Sequence, residues 1–182
     1  MYYLQSVKET ESGFKLEADG TFKFFFSYGV IDRYGSGTWK LEDGNVILQS
    51  RPWEGRDFLL TGTSKVQGDL VAVRIHGNPQ LVSHVFVSLD KGEEGSWMKT
   101  NESGIAVFPS RRAISVSMIF EFCPERYSHF TLPDPMQNLI EFKFEPWLME
   151  VFFNNFSLKA GSYALEGRHP LLKGEKYVFE KS

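Results

Sequence analysis

Thr21-Phe22-Lys23-Phe24-Phe25-Phe26-Ser27-Tyr28 decides the fold class. In an extended chain Phe22, Phe24, Phe26 and Tyr28 fall on one face, with Lys23 and Ser27 on the other, whereas no helical face gathers the same residues. The alternation returns in Ile114, Val116, Met118, Phe120 and Phe122, and again in Ile140, Phe142 and Phe144. Such a pattern reads as half-buried antiparallel strands. Turn signals punctuate the chain at intervals of roughly 8–12 residues, among them Asp19-Gly20, Asp43-Gly44, Gly77-Asn78-Pro79 and Gly92, the spacing of sandwiches and barrels. Pro135 to Leu139, a single turn, is the best helical candidate, so the chain is expected to be all-β.

Composition narrows the function classes. The 182 residues suffice for one sizeable domain or two small ones. Twenty basic and 23 acidic side chains give a net charge of -3, which supplies no electrostatic footprint for nucleic acid. Nothing approaches the roughly 20 apolar residues of a helical membrane span. Cys123 is the only cysteine, so an intramolecular disulfide and a multi-thiolate zinc site are both excluded. No motif calls for a metal or cofactor. The chain enters a strand at Tyr2 without a polar lead-in, and this favours a periplasmic or envelope protein whose leader has been removed.

Up to about Gly68, strands follow one another through short hairpins: Tyr2 to Val7, Phe14 to Ala18, Thr21 to Tyr28, Thr38 to Leu41, Val46 to Gln49 and Asp57 to Gly62. After it the connections lengthen, as in a sandwich whose strands cross between sheets. The expected organisation is therefore an antiparallel meander forming a partial barrel over residues 1–68, packed against a β-sandwich over residues 69–182. Gly37 is expected to let the backbone pass close to Trp39, and Trp39 to plug a small barrel or sheet.

The run from Phe14-Lys15-Leu16 through Gly37-Thr38-Trp39-Lys40-Leu41 to Leu48 resembles the opening meander of lipocalin-like β-domains of uncharacterised bacterial proteins. Thr100-Asn101-Glu102-Ser103-Gly104-Ile105-Ala106-Val107-Phe108-Pro109 resembles a strand-turn-strand of transthyretin, or prealbumin-type, sandwiches. Two further fragments, Leu81-Val82-Ser83-His84-Val85 and His169-Pro170-Leu171-Leu172, resemble the 5-hydroxyisourate hydrolases of that fold. This last resemblance implies hydrolytic chemistry at His84 and His169. Ile105 stands where that family carries a turn arginine, and Glu180-Lys181-Ser182 where it ends in Tyr-Arg-Gly-Ser.

The leading functional expectation is a non-enzymatic binding or assembly module of a bacterial cell envelope, with a small polar ligand, a carbohydrate or a protein as partner. If hairpin ends converge, Tyr28, Asp32, Arg33 and Trp53 make a polar-aromatic rim suited to such a ligand. The competing reading of the same residues is a solvated hairpin with one internal Asp32–Arg33 ion pair. His84 is read on a strand from Val82 to Leu89, sharing a face with Phe86 and Ser88. Cys123, before Pro124, is expected to be a buried thiol, and a Cys123–His129 thiolate pair is the alternative. Arg111-Arg112 reads as the basic guard of a strand edge.

Overall fold

The computed structural model describes residues 1–89, 97–110 and 112–182. Within them the regular structure is sixteen strands and one 3-10 turn. The chain is all-β, as the alternation predicts. It divides into two compact units: residues 1–53 with 149–182, and residues 54–148.

The first unit opens with β1 (Tyr2–Leu4), β2 (Thr10–Leu16), β3 (Thr21–Tyr28), β4 (Ile31–Glu42) and β5 (Asn45–Gln49). The second supplies β6 (Phe58–Ser64), β7 (Val71–His76), β8 (Val85–Leu89), β9 (Met98–Lys99), β10 (Ile105–Phe108), β11 (Ser115–Phe120), β12 (Ser128–Thr131) and β13 (Leu139–Phe144). The chain then returns to the first unit with β14 (Phe156–Ala160), β15 (Ala164–Gly167) and β16 (Tyr177–Lys181).

These eight strands of the first unit close a barrel in the order β1-β16-β15-β14-β5-β4-β3-β2. Every neighbouring pair is antiparallel, and the seams are Leu4 opposite Phe179 and Leu48 opposite Phe156. The β4–β5 hairpin turns at Asp43 and Gly44, whose φ angles of 48° and 76° give the left-handed pair that matches strand twist. The second unit is thus an insertion between two hydrogen-bonded barrel strands. The boundary expected between residues 68 and 69 lies instead inside the second unit, in the turn between β6 and β7, both of which pair with β13 in one sheet. After Gln49 the chain leaves the barrel for β6, which does not pair with β5, and nothing local marks that departure or the return at β14.

The barrel interior is filled. Phe14, Phe22 and Phe24 point inward, and Phe153, from the irregular stretch before β14, meets their rings at 6.0, 5.1 and 5.3 Å. Phe179 closes on Phe14 at 4.9 Å. Burying each such ring stabilises the fold by about 1.5–3 kcal/mol. Phe153 is therefore the plug expected of Trp39, which is half-buried beside the core and donates its indole N–H to the Glu17 carbonyl at 2.9 Å. Gly37 is required by a different neighbour from the expected one: a Cβ there would collide with the Gln49 carbonyl oxygen and lie 2.9 Å from the Phe22 ring.

The second unit holds two four-stranded sheets, β10-β7-β13-β6 and β12-β11-β8-β9. Ring contacts join them, Phe130 to Phe142 at 4.8 Å and Phe120 to Phe144 at 5.5 Å. One pairing departs from the antiparallel expectation, since β7 and β13 run parallel. Parallel neighbours need a crossover, and the chain makes it through the whole second sheet. The strand expected from Val82 begins only at Val85, because Leu81 and Val82 donate to the Asn78 carbonyl in a turn that leads into the 3-10 segment Val82–His84. Pro135 to Leu139 forms no helix, and β13 starts at Leu139. Arg112 is exposed ahead of β11, while Arg111 and the Gly92 turn lie outside the described residues.

Candidate functional site

Beyond Gln49 the edge of the barrel opens into a cleft of about 360 Å³ walled by Gln49, Arg51, Pro52, Trp53, Phe152 and Asn154. Its walls are held by the plug segment. Ser50 donates its N–H to the Phe153 carbonyl at 2.8 Å and its hydroxyl to the Ser36 carbonyl at 2.6 Å. The Gln49 side chain is oriented at both ends, donating to the Ser50 carbonyl and accepting from the Asn155 N–H, each at 2.9 Å.

Arg51 is the most constrained polar group of this cleft. Its guanidinium meets the Glu150 carboxylate at 2.7 Å and lies 5.0 Å over the Phe152 ring. Glu150 is buried, so the carboxylate anchors the guanidinium from below while Arg51 stays partly exposed. A planar cation, two amides and two aromatic side chains in one concavity suit a small ligand that offers hydroxyl or carbonyl oxygens and an apolar ring face.

Of the residues expected to form the rim, Trp53 lines this cleft. Tyr28, Asp32 and Arg33 are not among its walls; they sit at the β3–β4 hairpin. Asp32 and Arg33 are successive strand residues and face opposite ways: Asp32 is outside, accepting a hydrogen bond from the Ser27 hydroxyl, and Arg33 is buried. The expected ion pair in a solvated hairpin is therefore replaced by one outward and one inward side chain, as period two requires. Gln49, Arg51, Phe152 and Asn154 were not singled out from the sequence. Arg51 comes two residues after a strand and precedes Pro52-Trp53, a signal that could have found it, but Phe152 and Asn154 arrive from about a hundred residues away.

The histidines are distributed among unrelated settings. His84 ends the 3-10 segment, its Nδ1 at 2.6 Å from Glu121 Oε2, and Lys99 meets the same oxygen at 2.6 Å. The Lys99 ammonium, and after it His84, hold the Glu121 carboxyl below its usual range. His76 pairs with Glu141 at 2.9 Å, and His129 Nδ1 lies 3.0 Å from the Ser117 hydroxyl, which also meets Tyr127 at 2.7 Å. Ser117 is fully buried, so this contact ties β11 to β12 rather than presenting a nucleophile.

His169 lies in the barrel unit and His84 in the other. The Nδ1 of His169 accepts from the N–H groups of Leu171 and Leu172, both at 3.0 Å, which leaves the proton on Nε2 to be donated to the Ser12 hydroxyl at 3.0 Å. Burial pushes its pKa down to about 4. Both nitrogens are occupied and the ring is covered by Phe24, Phe26 and Phe179, so His169 is packed among the barrel aromatics. Cys123 is buried, its thiol 3.1 Å from the Leu148 carbonyl, and His129 is engaged on the far face of β11. Among the described residues no group of three or more His, Cys, Asp or Glu side chains is placed to hold a metal, and no helix is long and apolar enough to cross a membrane.

No family model matches the chain, and comparison with curated proteins and with solved structures returns no match.

Proposed function

We propose that the chain is a non-enzymatic binding module that takes a small polar ligand, with a carbohydrate as the favoured class, in the cleft around Arg51, Trp53 and Phe152. One observation carries the reading: a guanidinium clamped by a buried carboxylate stands beside aromatic walls, the oriented Gln49 amide and Asn154 in a concavity of about 360 Å³, within the range of small-molecule sites. The up-and-down order of the barrel supports a lipocalin-like description of the first unit, and the paired sheets support a transthyretin-like sandwich in the second. Unlike a cup-shaped carrier, this barrel keeps its aromatics inside, so the ligand belongs at its edge. Service in a bacterial cell envelope is part of the same proposal.

A glycan and small-ligand array with the intact chain tests it. The expected result is a ligand whose affinity falls at least about tenfold in Trp53→Ala and Arg51→Ala, while Asp32→Ala, on the barrel exterior, binds as the parent does. A ligand held equally well by both cleft variants would overturn the assignment.

A further inference from the structure

The outer face of β2, β3 and β4 is ordered in three rows. Registers place Lys15 opposite Lys23 and Lys23 opposite Ser36; next, Gly13 opposite Phe25 and Phe25 opposite Tyr34; then Glu11 opposite Ser27 and Ser27 opposite Asp32. β1 adds Tyr3 to the middle row, opposite Gly13, with its ring 5.9 Å from Phe25. A basic row, an aromatic row and an acidic row thus lie side by side on one sheet face.

This arrangement is unfavourable in isolation. Two lysines directly opposite each other repel. Lys15 leans to Glu17 at 2.7 Å, an exposed pair that contributes little, and among the described residues Lys23 has no ion-pair partner. Tyr34 is 48% exposed beside Phe25. Between the lysine and aromatic rows runs a groove of about 420 Å³.

We infer that this face is a self-complementary interface on which a second copy of the chain docks about a two-fold axis running along the aromatic row. Such an axis lies in the plane of contact and exchanges the outer rows. Lys15 then meets Glu11 of the second copy, Ser36 meets its Asp32, and Phe25 and Tyr34 meet their own counterparts, each contact occurring twice. Side chains of the acidic row enter the groove beside the lysines. An axis along the strands would set lysine against lysine, so the charge pattern selects one orientation. Four strands by three rows cover roughly 400 Å² per copy at sheet spacings, below the ordinary size of a stable interface. The dimer is consequently weak and concentration-dependent.

Sedimentation equilibrium of the intact chain from micromolar to millimolar concentration, at low and high salt, provides the test. The parent should show a monomer–dimer equilibrium that weakens with salt. Lys15→Glu and Glu11→Lys should each weaken dimerisation at least about tenfold, and the double swap should restore it, because exchanging the two charges leaves opposite signs facing each other across the interface. Both sites are exposed, and circular dichroism and thermal midpoints confirm that each variant is folded. A parent that is monomeric throughout, or a double swap no better than the single variants, overturns the inference. Saturable binding of decanoate in the groove by a strictly monomeric chain would do the same and assign the face to an amphipathic anion.

Discussion

Arg126 donates from Nε to Asp57 Oδ2 at 2.7 Å, with the two side chains 7% and 3% exposed. The pair joins the start of β6 to the segment before β12, and Arg126 also donates to the Leu148 carbonyl while the Asp57 N–H donates to the Ser128 hydroxyl. Removing one partner strands the other charge in the interior, at a cost of about 3–5 kcal/mol. Arg126→Ala should accordingly lower the urea midpoint of the second unit, and Asp57→Ala should lower it by a similar amount. Combining them should cost clearly less than the sum, since no lone charge remains. Additive losses would show that the two groups act separately.

His169 makes the barrel pH-sensitive in a defined direction. Its pKa in the folded chain, about 4, lies below the ordinary 6.5, so the unfolded chain binds the extra proton more readily. The contribution of the neutral ring is fully present above pH 6.5, falls as pH drops through the window from 6.5 to 4, and is gone below it. The difference amounts to about 3 kcal/mol. Denaturant titrations at about pH 7.5 and about pH 4.5 should show this loss in the parent and a much smaller one in His169→Gln. Equal pH dependence in both chains would place the sensitivity elsewhere.

What could be read from the sequence was local. Phe22, Phe24 and Phe26 declared a strand by themselves, and Asp43-Gly44 declared a hairpin, because side-chain alternation and left-handed turn geometry are properties of a few adjacent residues. The pairing of Leu48 with Phe156 has no such signature, and missing it misplaced the boundary between the units. The same distance hid the cleft. Trp53 was found as a rim aromatic, but the carboxylate that clamps Arg51 and the ring beneath it come from Glu150 and Phe152 across the insertion. At His169 the His-Pro-Leu-Leu string resembles a hydrolase fragment, and a string of that kind does not show that its Nδ1 accepts from the N–H groups of Leu171 and Leu172.

Gly37 is a fixed point of the barrel wall. The atom nearest an added Cβ is the Gln49 carbonyl oxygen, part of the backbone facing Thr38, so no flexible side chain can swing aside. Gly37→Ala should therefore cost about 1–3 kcal/mol or more through displacement of β5. A thermal scan of this variant beside Gly44→Ala, where an added Cβ meets nothing within 4 Å, separates crowding from turn strain, because only the former should disturb the near-ultraviolet signal of the packed phenylalanines. An unchanged midpoint in Gly37→Ala would refute the crowding argument.

Cys123 should resist alkylation. The thiol is fully buried and donates to the Leu148 carbonyl at 3.1 Å, so the reagent cannot reach it without local opening. Native labelling by iodoacetamide at about pH 7.5 should therefore run at least about a hundredfold slower than labelling in urea, limited by local opening. Native and unfolded rates that coincide would mean that the thiol is accessible.

The insertion makes a stronger demand on the barrel. All eight strands, the plug Phe153 and the aromatic core lie in residues 1–53 and 149–182. Residues 54–148 contribute no strand to the closed sheet, and β5 pairs directly with β14 from Asn45 opposite Lys159 to Leu48 opposite Phe156. Joining Trp53 to Met149 through a short Gly-Ser linker leaves β5 and β14 connected by an ordinary loop, with the Arg51–Glu150 ion pair inside it. Closing a shorter loop lowers the entropic cost of forming that seam. The shortened chain should consequently fold alone, showing cooperative thermal unfolding, a near-ultraviolet spectrum of packed aromatics and slow amide exchange at Leu48 and Leu158. A chain with exchange-labile amides and no cooperative transition would show that the barrel depends on the inserted unit, and that the aromatic interior is not sufficient to hold the eight strands closed.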